Sequence, residues 1–145
     1  MDVGKKKLKI ALVQARFNEE ITDSLTKGAL KALENSGLEK GDIEVHKVPG
    51  SFEIPIKCQQ IARDQKQDGI IALGAVIRGE TPHFDYVSKA ATDGILRVML
   101  DEDIFISFGV LTTDNLEQAR ARSRNNRKNK GYEAALALLE MIQSQ

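Results

Sequence analysis

The run GIIALGAVI, residues 69–77, is apolar on both of the faces a strand would present. An antiparallel strand with one wet face alternates, whereas a strand covered by helices above and below reads as a continuous apolar run. Residues 69–77 therefore predict a central strand of a parallel sheet. The helix after it is announced by Thr81 and Pro82, read as N-cap and first helical residue of the segment running through HFDYVSKAATDGILRVML.

Three further strand–helix pairs repeat the pattern. LKIALVQA (8–15) is β-rich and apolar, and Ile21, Leu25, Ala29 and Leu33 then form one helical stripe stopped by Gly37. DIEVHKV (42–48) breaks at Pro49-Gly50, and Ser51 is placed to cap the helix of SFEIPIKCQQIARDQKQ, with Pro55 tolerated near the first turn. DIFISFGVL (103–111) leads to Asp114 and Glu117, spaced as a capping-box variant, and GYEAALALLEMIQ supplies a last helix. Four alternations, short connections and no hairpin signal predict an α/β fold with helices on both faces of a parallel sheet, in one domain over residues 1–145.

Charge and cysteine content narrow the function. With 21 basic and 21 acidic side chains there is no global field to attract nucleic acid or an anionic membrane, so any anion preference is local. Near the start the only apolar run, Ile10 to Val13, is interrupted at once by Gln14 and is too short for a signal-peptide core or a membrane span, and the cytoplasm is the expected location. Cys58 is the only cysteine, which rules out an intrachain disulfide and a cysteine-rich zinc site; it reads as a buried, inert thiol. His46, inside a predicted strand, reads as structural, and its distance from His83 matches no metal-ligand spacing.

Ligands of open parallel sheets bind beyond the carboxyl ends of the strands, where helix N-termini point. The four junctions hold Arg16-Phe17-Asn18, Pro49 to Glu53, Val76 to His83, and Leu111 to Asp114. They offer aromatic faces, a carboxylate, hydroxyls, backbone donors beside Gly50 and Gly79, and an imidazole. That inventory suits a polar, hydroxylated substrate containing a ring, and no glycine-rich phosphate loop of the dinucleotide or P-loop kind is present. Phe17 and Phe52 are either core residues or stacking surfaces, and Glu53 either accepts hydrogen bonds from hydroxyls or is a favourable charge in a helix's first turn. His83, in a first helical turn, sits against unpaired N–H groups and the positive end of the helix dipole, which favour a neutral imidazole suited to general acid–base work. A purely local hydrogen-bonding role for it has equal standing.

RARSRNNRKNKG (120–131) concentrates basic residues in a chain of zero net charge, for a nucleic-acid backbone, for one small-molecule phosphate, or for solvent alone. Aromatics interleaved with the basic run, which single-stranded RNA binding uses, are missing.

Five motifs, RFN, VPGSFEIP, GAVIRGETPHFDYV, FGVLTTDNLEQA and NKGYEAALALLEM, in this order and spacing closely resemble the 6,7-dimethyl-8-ribityllumazine synthase family from about Leu8 to Met141. The resemblance implies a flavodoxin-like three-layer αβα sandwich with a four-stranded parallel sheet and a pentamer whose active sites lie between adjacent subunits. Residues 1–7 would then be a flexible or neighbour-contacting arm. The implied reaction condenses 5-amino-6-(D-ribitylamino)uracil with 3,4-dihydroxy-2-butanone 4-phosphate, the penultimate step of riboflavin biosynthesis, with no metal or organic cofactor and no nucleic-acid or membrane partner.

Carried over residue by residue, Phe17 matches the aromatic that stacks on the pyrimidine, with Asn18 in the same loop. Ser51, Phe52 and Glu53 match the segment holding the ribityl chain and ring edge, and Val76 and Ile77 the backbone beside the ring. Gly79, Glu80 and Thr81 match the turn offering N–H groups to the substrate phosphate, and His83 the proton-transfer residue. Phe108, Arg122 and Lys130 match groups that reach the site from the adjacent subunit, Arg122 as the phosphate partner.

The chain departs from the resemblance at RSRNNRKNKG, where family members commonly carry a bend of the type RAGTKAGNKG. Arg124 and Lys128 stand where glycine is usual and Asn126 where lysine is usual, and Asn125, Asn126 and Asn129 are the residues expected to supply left-handed angles. Arg124, Arg127 and Lys128 inherit no role, and their added charge is expected to oppose contacts between pentamers. Against this enzymatic reading stands a module that retains a flavin or lumazine without turnover.

Overall fold

The structure is a computed structural model that describes residues 7–145. Its strands are β1 (Ile10–Ala15), β2 (Ile43–Val48), β3 (Gly69–Ile77) and β4 (Phe105–Thr113). Its helices are α1 (Glu19–Asn35), α2 (Ile54–Asp64), α3 (His83–Glu102), α4 (Leu116–Ala121) and α5 (Lys130–Gln143). The sheet is wholly parallel in the order β2-β1-β3-β4. The run 69–77 forms the inner strand β3, paired to β1 on one side and β4 on the other. Of the predicted arm, residues 1–6 lie outside the described residues, while the Lys7 ammonium pairs with Glu39 at 2.7 Å and Asp42 at 3.5 Å in its own chain.

Two apolar layers explain why β1 and β3 show no alternation. Ile10, Leu12, Ile71, Leu73 and Leu111 pack against α1 and α5, whereas Ala11, Val13, Ile70, Ala72 and Ile106 pack against α2 and α3. Gln14, the polar break in the first run, is buried with all its polar groups engaged: Nε2 donates to Thr22 Oγ1 and to Asp23 Oδ1, and Oε1 accepts from Thr26. A satisfied amide costs little in a core and fixes the first turns of α1 on β1. Cys58 is fully buried between α2 and the sheet, and burial pushes its thiol up to about 12.

Several helix starts differ from the sequence prediction. Ser51 does not cap a helix; it lies buried in a short 3-10 turn, Ser51–Glu53, and α2 begins at Ile54 with Pro55 in its first turn. Its place there depends on Gly74, where a Cβ would collide with the Ser51 hydroxyl. The next helix begins at His83 with Pro82 at the cap position, and Thr81 Oγ1 accepts from the His83 N–H at a long 3.4 Å. The predicted Asp114–Glu117 box is displaced by one residue: Asn115 accepts from the Gln118 N–H at 2.8 Å, and the Gln118 side chain accepts from the Asp114 N–H at 2.7 Å. Because β4 runs two residues further than predicted, to Thr113, Asp114 still belongs to the turn and Asn115 takes the cap.

Candidate active site

In the order β2-β1-β3-β4 the connection from β1 runs outward to β2 and that from β3 outward to β4, so the winding reverses between β1 and β3. Ligands of this architecture collect in the crevice at such a point. A cavity of about 580 Å³ opens there. Phe17 reaches it from beyond β1, Ser51, Phe52 and Glu53 from beyond β2, Val76 and Ile77 from the end of β3, and His83 from the start of α3. No lysine or arginine lines it. Phe17 is 71% exposed, Phe52 61% and Tyr86 71%, so three rings on one rim lie outside the core and present faces to a planar ligand.

Main-chain bonds hold this rim. The Arg16 and Phe17 N–H groups donate to Val48 O at 2.8 Å and Pro49 O at 3.0 Å, tying the chain beyond β1 to that beyond β2. Asn18 adopts left-handed angles (φ 62°, ψ 51°) and donates its amide to Ala75 O at 2.8 Å. Asn18 is not brought into the cavity lining; its side chain anchors the Phe17 loop to β3.

A second cavity of about 380 Å³ runs along β4, at the edge of the sheet. Phe108, Arg122 and Lys130 line it together with Lys128 and Glu133, and it shares no lining residue with the first cavity. Arg122 donates to Gln118 O at 3.2 Å, and the Lys130 N–H donates to Arg122 O at 2.8 Å, which fixes the two cationic residues beside each other. None of Arg122, Lys128 and Lys130 forms an ion pair among the described residues. One chain thus carries an aromatic cavity with an imidazole and a carboxylate, and a separate cavity with an aromatic and three cations.

Residues 7–145 match the family model described as 6,7-dimethyl-8-ribityllumazine synthase. The chain is also 51% identical over 137 residues to a 6,7-dimethyl-8-ribityllumazine synthase from Desulfovibrio desulfuricans, an alignment covering 94% of this chain and 88% of that protein. The chain belongs to the 6,7-dimethyl-8-ribityllumazine synthase family.

The segment that the family resemblance assigns to phosphate, Gly79, Glu80 and Thr81, forms the exposed turn between β3 and α3, next to His83 but outside the lining of either cavity. Arg78 holds that turn: its N–H donates to Thr113 O at 2.8 Å, and its guanidinium meets Asp114 at 3.1 Å, Asp85 at 3.6 Å and the Phe84 ring at 4.3 Å. Sequence reasoning missed Arg78, whose partners come from two segments, the end of β4 and the first turn of α3, and follow no spacing. It also missed Tyr86, which lies three residues after His83 on α3 and was accessible from helical periodicity.

The basic run divides by position. Arg120 donates to both carboxylate oxygens of Glu20, at 2.8 and 3.1 Å, which holds the Glu20 carboxyl below its ordinary range and raises the guanidinium in turn. Arg122, Lys128 and Lys130 go to the β4 cavity, although Lys128 inherits no role from the family. The expected left-handed asparagines are absent from the bend; positive φ among the described residues occurs at Asn18, Gln65, Asp103 and Gly37. Side-chain bonds close the bend instead. Asn129, 1% exposed, donates Nδ2 to Ser24 O, Ser123 O and Arg124 O, while Oδ1 accepts from the Gly131 and Tyr132 N–H groups at the start of α5. Gly28 and Gly131 permit this approach, since a Cβ at 28 would strike the Asn129 amide and one at 131 would strike Leu25 O.

Among the described residues no three His, Cys, Asp or Glu side chains gather as metal ligands, and no helix is long and apolar enough to cross a membrane.

Proposed function

We propose that this transferase condenses 5-amino-6-(D-ribitylamino)uracil with 3,4-dihydroxy-2-butanone 4-phosphate at a composite site, where the Phe17 cavity of one copy meets the Arg122 cavity of the next around a cytoplasmic pentamer. The observation that carries this reading is the division of complementary chemistry between two cavities of one chain. Stacking surface, imidazole and carboxylate lie in the first; the cations that a phosphate dianion requires lie in the second, on an edge strand. A heterologous contact repeated around a ring brings the two halves together at every junction. Exposed Ile56, Leu96 and Leu100 on α2 and α3 support burial of further surface between copies.

In this site Phe17 and Phe52 stack on the pyrimidine and Glu53 accepts hydrogen bonds from ribityl hydroxyls, with Ser51, Val76, Ile77 and Asn18 shaping the pocket. Arg122, helped by Lys128 and by the N–H groups of Gly79, Glu80 and Thr81, holds the phosphate, while Lys130 and Phe108 close over the ring from the neighbouring copy. The 5-amino nitrogen attacks the ketone carbon and water departs, giving an imine. A C–H proton is removed as the C–O bond to phosphate breaks, and inorganic phosphate leaves as the dianion. The resulting enol returns to a ketone, the ribityl-bearing nitrogen attacks it, and loss of a second water closes the ring. Every step moves protons and none changes the net oxidation state, so His83 serves as proton carrier while charge-assisted hydrogen bonds stabilise the departing phosphate. Orientation of two bound substrates supplies several kcal/mol of the acceleration, on the scale of about 7 kcal/mol for well-aligned intramolecular reactions.

The test is the two-substrate assay, following lumazine absorbance, on purified protein whose particle mass is measured at the same salt. Turnover by a pentamer is the expected result, and the charges of the altered bend favour free pentamers over larger shells. Lumazine binding without turnover, or a fully active monomer, would overturn the proposal.

A further inference from the structure

Arg127 takes no part in the reaction above, yet the fold gives it company. Lys27 and Lys31, one turn apart on α1, and Arg127 of the bend converge on a cleft of about 620 Å³, with the amides of Asn35, Asn125 and Asn126 around it. No aspartate or glutamate lines this cleft, and none of the three cations has an ion-pair partner among the described residues. Gathering like charges in a concavity is unfavourable unless an anion joins them.

A second feature points the same way. Tyr132 lines the cleft at 7% exposure, and its hydroxyl makes no hydrogen bond with any described residue. The hydroxyl oxygen is not itself buried, so it is free to bond a ligand that enters the cleft. The serine protons at the cleft are already committed, Ser24 to Glu20 O and Ser123 to Ala119 O. Asn126 Oδ1 is likewise occupied by the Lys128 N–H, which leaves its NH₂ as a free donor. The wall does not give way easily, because Asn129 ties the bend to Ser24 O at 3.1 Å.

We infer that this cleft between α1 and the bend is a second anion site, for a small-molecule polyphosphate. A guanidinium fork, two ammonium groups, free amide donors and a phenol match the many acceptor oxygens of such a ligand, and the volume exceeds what a single phosphate fills. The site is separate from the proposed reaction, since it shares no lining residue with either catalytic cavity.

Pyrophosphate titrated by calorimetry into the assembled Arg122→Ala protein tests this, because that variant lacks the principal phosphate group of the reaction site. The expected result is saturable binding of about one pyrophosphate per protomer, tighter than inorganic phosphate, and weakened about tenfold by adding Lys27→Ala with Arg127→Ala. Tyr132→Phe is expected to weaken it about threefold with unchanged thermal stability. In otherwise unmodified protein the Lys27→Ala–Arg127→Ala pair is expected to leave kcat and both KM values as they were, so the outcome does not depend on the reaction scheme. Absence of saturable binding to Arg122→Ala protein, binding insensitive to the Lys27 and Arg127 changes, or retention of single-stranded RNA in place of pyrophosphate would overturn the inference.

Discussion

Replacing Asn129 by alanine tests how the altered bend is held and what it holds. The side chain is 1% exposed and makes five contacts: Nδ2 to Ser24 O at 3.1 Å and to Ser123 O and Arg124 O at 3.0 Å, and Oδ1 from the Gly131 N–H at 2.8 Å and the Tyr132 N–H at 3.1 Å. An amide has two hydrogens for those three carbonyls, so one bond is shared and its donor side is worth about 2 kcal/mol at about 1 kcal/mol each. Loss of the cap on α5 adds about 1 kcal/mol. Asn129→Ala is therefore expected to cost about 3 kcal/mol, a fall in Tm of about 10 °C for a chain this size. Asn129→Ser keeps an oxygen for the cap and is expected to lose about 2 kcal/mol. Because Lys130 N–H is bonded to Arg122 O across the bend, the alanine variant is also expected to raise KM for the butanone phosphate more than for the uracil. Thermal unfolding at fixed protomer concentration and steady-state kinetics read both effects. A Tm within 2 °C of the parent, a change of about 0.5 kcal/mol, would refute the account of the bend.

Lys128→Ala is expected to raise KM for the butanone phosphate about fivefold and leave KM for the uracil unchanged; an equal change in both would remove Lys128 from phosphate binding. His83→Ala is expected to keep substantial activity, since orientation carries much of the rate; a folded, assembled and wholly inactive variant would give proton transfer the larger share. Asp42, buried at 3% exposure, has its carboxyl held below the ordinary range chiefly by the Glu39 N–H and then by Lys7 and Lys9. Its ionised form thus favours the native state above the unfolded carboxyl value of about 3.9, and that contribution disappears as pH falls from there through the lower native value. Acid unfolding followed by circular dichroism is expected to lose part of its steepness in Asp42→Asn; an unchanged profile would contradict the assignment.

The sheet was legible because its signal is local. An uninterrupted apolar run such as 69–77 has one stable use in a chain with alternating helical stripes, and β3 spans those residues. Helix starts were less legible where neighbouring residues compete for one cap, as Asp114 and Asn115 do, because the end of β4 decides between them. The rim residues Phe17, Phe52, Glu53 and His83 were accessible from topology alone, since each follows a strand. The basic run was not. Whether Arg120 meets Glu20, Lys128 meets Arg122 or Arg127 meets Lys27 depends on how the bend folds back onto α1, and that is set by Asn129 with Gly28 and Gly131. Linear sequence shows the charges but not the side of the bend each one takes.

The composite site is tested most directly by mixing two disabled chains. Phe17→Asp removes the stacking half and Arg122→Ser the phosphate half, each leaving the other cavity intact. Mixed pentamers made by co-expression at equal amounts place an intact Phe17 cavity against an intact Arg122 cavity at about one junction in four, so about a quarter of the unmodified activity is expected to return. Mixed particles no more active than the sum of the two parents would contradict a site shared between copies.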